Sequence, residues 1–286
     1  MPGKLSAKRF APDKIKTRPY QNDFTAVQLQ GRYSGSVWPS ANLPPSLVQY
    51  MSDDDDDLLR TGPKQKYKLG QVGYKLTLLN PLFCMSALNI WSEENDIILT
   101  PLGSRGISGL VANLMKRHAI VNEIVPQYYE EIKTKAERRR YQEYRFDCIL
   151  GDARHLSLED DSIDCIYTSP PYWRQERYIE VEGSLGTLET YEKFLEGWKE
   201  CVEEMYRVLK PNKFCCIVIG DFRYNGQLIN YSGDTIILAR EIGFKYWDWV
   251  TLCLRTSAKI FASKQLEKYK HVARSHEILL VFKKEG

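Results

Sequence analysis

The chain has 286 residues, 43% hydrophobic and 27% charged, ordinary proportions for a globular protein with a sizeable core. A formal charge of +3 does not by itself argue for a nucleic-acid partner, so that case rests on where the charges sit. The seven cysteines include no C-x-x-C pair and the four histidines do not cluster, so no metal site is expected and the thiols fit a reducing compartment. No apolar run reaches membrane-spanning length, and the start lacks a secretory core, so a soluble, cytoplasmic chain is the expectation.

Residues 1–75 read as a partly irregular extension. They carry a basic start (Lys4, Lys8, Arg9, Lys14, Lys16, Arg18), scattered prolines and five consecutive aspartates, Asp53 to Asp57. Such a run repels itself and reads as an exposed loop. "NLPPSLVQYM" just before it suits a short helix begun at Pro44 or Pro45.

Residues 76–286 read as one domain in which strands and helices alternate. "DIILT" is a short apolar strand, and "SGLVANLMKRH" a helix with Leu110, Val111, Leu114 and Met115 on one side. "HAIVNEI" is a second strand, followed by a helix from Pro126 with a basic end. "DCILGDA" and "SIDCIYTS" supply two more strands. "TYEKFLEGWKECVEEMYRVLKP" is the clearest helix, its apolar residues recurring at three- and four-residue steps until Pro211 stops it. "KFCCIVIGD", "WDWVTLCL" and "HEILLVFKK" complete the strands. This alternation predicts an α/β fold of three layers, a doubly wound and mostly parallel sheet covered on both faces. Ligands of such sheets sit outside the carboxyl ends of the strands.

Those ends carry a consistent set of residues. After the first strand comes "TPLGSRGISG", Thr100 to Gly109, where glycines allow close backbone approach and a helix N-terminus favours negative charge. Gly-rich turns join many strands to helices, so alone this decides little. Glu123 ends the second strand, where an acid can accept from ribose hydroxyls; a solvated strand-end acid is the plainer reading. Asp152 follows the third, able to meet an adenine edge or merely to start a turn. Together, and in this order, the three suit an adenosine-containing cofactor. The fourth strand then delivers Ser169-Pro170-Pro171-Tyr172, a stiff loop whose two prolines offer no backbone donor.

"TSPPYW", with "EGSLGTLETYEKFLEGWKECVEEMYRVLKP" downstream, resembles the S-adenosylmethionine-dependent DNA amino-methyltransferases, and the Ser-Pro-Pro-Tyr form most resembles their cytosine-N4 members. The likeness runs from about Leu76 to Lys284. It implies the methyltransferase-type sheet, S-adenosylmethionine as cofactor, and Ser169, Pro170, Pro171 and Tyr172 as the catalytic motif. Thr100, Pro101, Gly103, Ser104 and Gly106 fall on the family's glycine motif. "NEIVPQYY" carries cofactor binding onto Glu123 and Ile124, and "ILGDARHL" onto Asp152 and Ala153. Two departures stand out. The family's first aspartate is Thr100 here and one motif glycine is Ser104, and the glycine turn precedes the catalytic motif, an order that circular permutation of one sheet accommodates.

The resemblance implies a DNA partner, with the target base flipped out of the duplex, and a place in restriction-modification. Cytosine N4 is the expected target, with adenine N6 the alternative; a weakened fold relative that only binds nucleic acid, or an RNA or protein-amide methyltransferase, are further readings. The segment from Leu254 to Glu277 carries Arg255, Lys259, Lys264, Lys268, Lys270 and Arg274 with two aromatics, and is expected to contact the DNA backbone.

Overall fold

The computed structural model describes residues 37–39, 80–138, 141–175, 179–253, 268–272 and 276–286. In chain order these form β1 (Val37–Pro39), α1 (Pro81–Trp91), β2 (Ile97–Thr100), α2 (Ile107–Leu114), β3 (His118–Glu123), α3 (Pro126–Glu137), β4 (Phe146–Leu150) and β5 (Ile163–Thr168). After a 3-10 turn at Leu185–Thr187 come α4 (Tyr191–Val208), β6 (Leu209–Ile219), β7 (Phe222–Tyr224), β8 (Gln227–Ile229), α5 (Tyr231–Ile242), β9 (Phe244–Cys253) and β10 (His276–Lys284).

One eight-stranded sheet has the order β1-β9-β10-β6-β5-β2-β3-β4. β2, β3, β4, β5 and β6 run parallel, whereas β10 is antiparallel to both of its neighbours. Chain order turns back at β2: the strands that follow it step outward through β3 and β4 before β5 returns to its other side. That reversal is where an open α/β sheet leaves a crevice.

Alternation along each strand divides the core into two faces. Ile98 pairs with Cys165 and Leu99 with Ile166; the first pair packs under α1 and α2, the second under α4 and α5. The helix α4 buries Phe194, Trp198, Val202 and Met205, as its periodicity predicts. Its end differs from the sequence reading: the helix closes at Val208, and Pro211 lies within the following strand. The pairing slips there, from Ile163 with Leu209 to Cys165 with Phe214, so Lys210 to Lys213 form an irregular entry to β6, with Asn212 at φ 64°. A proline costs no ladder hydrogen bond in such a stretch.

Five elements escaped the sequence reading. α1 starts on Asn80, whose side chain accepts from the Leu82 N–H, with Pro81 in the first turn. It is buried on nearly every side, so no amphipathic period marks it. The hairpin β7–β8 and the helix α5 lie where only a connection was expected; α5 is capped by the Asn230 side chain and ended by Gly243 at φ 122°. β1, from the segment read as an extension, pairs in parallel with β9. The residues around it, the aspartate run and the suggested helix near Pro44 lie outside the described residues.

Candidate active site

The carboxyl ends of β2, β3, β4 and β5 open into one cleft, and β10, running the other way, brings its N-terminal end to the same edge. The unfilled space there, open mouth and adjoining solvent included, is about 1270 Å3. Gly103, Ser104, Glu123, Ile124, Asp152, Ala153, Ser169, Pro170, Pro171 and Tyr172 all line it. Thr100, Pro101 and Gly106, also expected at the cofactor, do not line it. Thr100 is buried with its hydroxyl 2.8 Å from that of Ser108, and Gly106 caps α2 at φ 78° beside Ile132.

The glycine turn is shaped by close contacts. A Cβ on Gly103 would stand 2.5 Å from Val121 Cγ1, so only glycine lets the turn lie flat on β3, where its N–H donates to the Asn122 carbonyl at 2.8 Å. Ser104 is held at φ 49°, a left-handed conformation that glycine adopts freely and serine does not. Its N–H donates to Glu123 Oε2 at 2.6 Å, and the Val125 N–H donates to Oε1 at 2.8 Å. Burial pushes the Glu123 carboxyl from an ordinary 4.5 up to about 7, outweighing these backbone donors, which pull it down. Asn122 knits the strand ends together by donating to the carbonyls of Pro101 at 2.9 Å and Gly151 at 3.0 Å.

Asp152 is already engaged. Its carboxylate accepts from Arg154 Nη2 at 2.6 Å, Arg154 Nε at 3.0 Å and the Arg154 backbone N–H at 2.9 Å. Burial raises its pKa and the arginine bonds lower it; the arginine wins, and the carboxyl sits below the usual range. Arg154 also reaches the Gly183 carbonyl at 3.4 Å, pinning the segment of Gly183, Ser184 and Leu185 that closes one side of the cleft.

On the opposite wall β5 ends in the Ser-Pro-Pro-Tyr loop. Among the described residues the Ser169 hydroxyl has no hydrogen-bond partner, so it is open to a ligand. Tyr172 is fixed from three sides: Phe222 and Tyr231 meet its ring edge-on at 6.1 and 6.2 Å, and its hydroxyl donates to Glu277 Oε1 at 3.2 Å. A Cβ on Gly220, at the end of β6, would come within 3.3 Å of that hydroxyl. Glu277 lines the cleft and was missed in the sequence, where it stands among basic residues 105 positions away from its partner. The only signal was the strand that follows it.

The match to known proteins falls on this half of the site. Residues 163–286 match the family model for DNA methylases of the N6/N4 type. That part of the chain is similar to the S-adenosylmethionine-dependent DNA amino-methyltransferases. The chain is 29% identical over 128 residues to the Type II methyltransferase M.HpaI of Haemophilus parainfluenzae, a span covering 45% of this chain and 35% of that one. It is 27% identical over 143 residues to the Type II methyltransferase M.MjaVI of Methanocaldococcus jannaschii, covering 48% of this chain and 70% of the other. The chain thus matches about a third of the length of the first relative. A solved structure of a Thermus thermophilus protein described as a DNA modification methylase, complexed with S-adenosyl-L-methionine, is 27% identical over 48% of this chain and 54% of its own, with a TM-score of 0.37.

The residues of the cleft fit S-adenosylmethionine as cofactor. A buried acid at the second strand end, a glycine turn with no room for a side chain at Gly103, and the Ser-Pro-Pro-Tyr loop converge on one cleft. Among the described residues no cluster of three or more His, Cys, Asp or Glu could hold a metal ion, and no helix is long and apolar enough to cross a membrane. Of the six basic residues expected at DNA, Lys268 and Lys270 are exposed, with the Lys268 ammonium 4.8 Å from the Tyr269 ring. Arg255, Lys259, Lys264 and Arg274 lie outside the described residues.

Proposed function

We propose that this chain methylates the exocyclic amino group of a base in DNA, with cytosine N4 as the target. The observation that carries the reading is the shared cleft: the Ser169 to Tyr172 loop faces the glycine turn and Glu123 across one opening. Glu123 would take the ribose hydroxyls of the cofactor, and Ile124, Asp152 and Ala153 would border its adenine. S-adenosylmethionine, when bound, supplies a methyl group on a positively charged sulfur.

The difficulty lies with the nucleophile. The lone pair of an exocyclic amino group is delocalised into its ring. Hydrogen bonds from that group to the Ser169 hydroxyl and the Pro170 carbonyl would draw the nitrogen toward tetrahedral geometry and free the pair for attack. Pro170 and Pro171 hold the carbonyl in place, which is electrostatic preorganisation combined with positioning. Tyr172 would stack on the base, and Glu277, by accepting from its hydroxyl, keeps the ring from turning. A base in this position has left its duplex. The serine in the first motif position favours cytosine.

The test is methyl transfer from labelled S-adenosylmethionine to DNA and to RNA, followed by identification of the modified nucleoside. N4-methylcytosine in DNA supports the reading. N6-methyladenine would move the target, label in RNA alone would replace the substrate, and cofactor binding without transfer would leave a binding protein.

A further inference from the structure

The hairpin β7–β8 does not line the cleft, yet it packs against the catalytic loop. It starts just beyond Gly220, and Phe222 anchors it in the ring cluster around Tyr172 and Tyr191. Tyr224 packs on Trp173 with ring centroids 4.5 Å apart. The tip is Asn225-Gly226, with φ 48° and 82°, the two positive values that a tight two-residue turn requires. Arg223 Nη1 reaches back to the Gly226 carbonyl at 3.1 Å.

The alternation of the strand separates its two faces. Phe222 and Tyr224 turn toward the catalytic loop, whereas Arg223 and its cross-strand partner Leu228 turn outward. Leu228 is 56% exposed; Gln227 is exposed too, but it pairs with Tyr224 and shares that residue's face. Arg174 is exposed, with its guanidinium 5.8 Å from the Trp173 ring, its Nε donating to the Leu188 carbonyl at 3.2 Å and its backbone at φ 52°. Two exposed arginines thus lie close to a pair of aromatics in tilted contact beside Tyr172, and no acid occurs from Phe222 to Asn230.

We infer that this hairpin is the element that engages duplex DNA beside the extracted base. The inference rests on the DNA methyltransferase reading above. A two-stranded ribbon fits the major groove, where arginine and glutamine side chains match guanine and adenine edges and an apolar side chain meets the thymine methyl. Arg223 and Leu228 present two of those chemistries on one face of a short support. Arg174 is placed to hold a phosphate and so fix the register.

The test compares wild type with Arg223→Ala, Arg223→Ala/Leu228→Ala and Arg174→Ala, leaving the Asn225-Gly226 turn intact. Each protein is expressed in a methylation-free bacterial host, and modified bases are mapped by sequencing. Binding of a labelled duplex of about 30 bp is measured over a salt series, with S-adenosylmethionine affinity as the control for folding. The double variant should methylate on the order of tenfold less efficiently or at a degenerate motif, and Arg174→Ala should reduce the salt slope by about 0.9, with cofactor affinity unchanged in both. An unchanged motif, rate and duplex affinity in the hairpin variants would overturn the inference. If wild type transfers no methyl group to DNA, the proposed activity falls; a duplex affinity lost in the hairpin variants would still uphold the contact surface, and equal affinities would remove it as well.

Discussion

Replacing Glu123 by glutamine tests the cofactor side of the site through a pH dependence that few other positions would show. The carboxyl is 6% exposed and titrates near 7 instead of 4.5 because burial disfavours its charge. The folded protein therefore holds this proton more tightly than the unfolded chain does. The stability linked to it is complete below pH 4.5 and is lost as pH rises through 7. The gap between those two values corresponds to about 3 kcal/mol. Glutamine carries no such proton, and it leaves one of the two N–H donors of Ser104 and Val125 facing an amide NH2, at a cost of about 1–2 kcal/mol. The variant should therefore be less stable than wild type at about pH 5 and gain on it by up to about 3 kcal/mol by about pH 8. Urea unfolding at half-unit pH steps measures the difference. Ligand binding should run the opposite way. Ribose hydroxyls favour the ionised carboxylate, so wild-type affinity for S-adenosylmethionine should rise with pH, approaching about tenfold per unit below about 7, then level off. Glu123→Gln should bind about ten- to a hundredfold more weakly, with no such rise. Parallel stability profiles, or equal affinities, would refute both the elevated pKa and the assignment of Glu123 to the cofactor.

Ser169→Ala and Tyr172→Ala should each lower methyl transfer by at least about tenfold, near 1.4 kcal/mol, with cofactor affinity retained in calorimetry. Ser104→Gly should stabilise the fold by about 0.5–1 kcal/mol, because φ 49° strains serine more than the added chain freedom of glycine costs; a shift of the urea midpoint reads this directly. Arg117→Ala should destabilise by about 3 kcal/mol or more. This fully buried guanidinium donates to the Leu88, Ser92 and Met115 carbonyls and to the Ser92 hydroxyl, and its loss strands acceptors at the end of α1.

The sequence alone specifies what each strand ends in. Glu123, the glycine turn and Ser-Pro-Pro-Tyr are legible because each is local: a strand stops, and its next residues have a chemistry that core packing does not require. Asn80, Asn225-Gly226 and Gly243 are equally local signals for a cap, a hairpin and a helix end. The all-apolar run of α1 hid the first, since a helix buried all round has no period to read. The tertiary structure alone decides which of these ends meet. Glu277 reaches Tyr172 only because β10 runs against its neighbours and turns its first residues to the edge where parallel strands turn their last. Thr100 and Asp152 make the complementary point. Their positions in the chain placed them both at a cofactor; Ser108 engages the hydroxyl of Thr100, which does not line the cleft, whereas Asp152 lines it with its carboxylate held by Arg154. A residue type fixes which bonds a side chain can form; its neighbours in space determine which of them are still open.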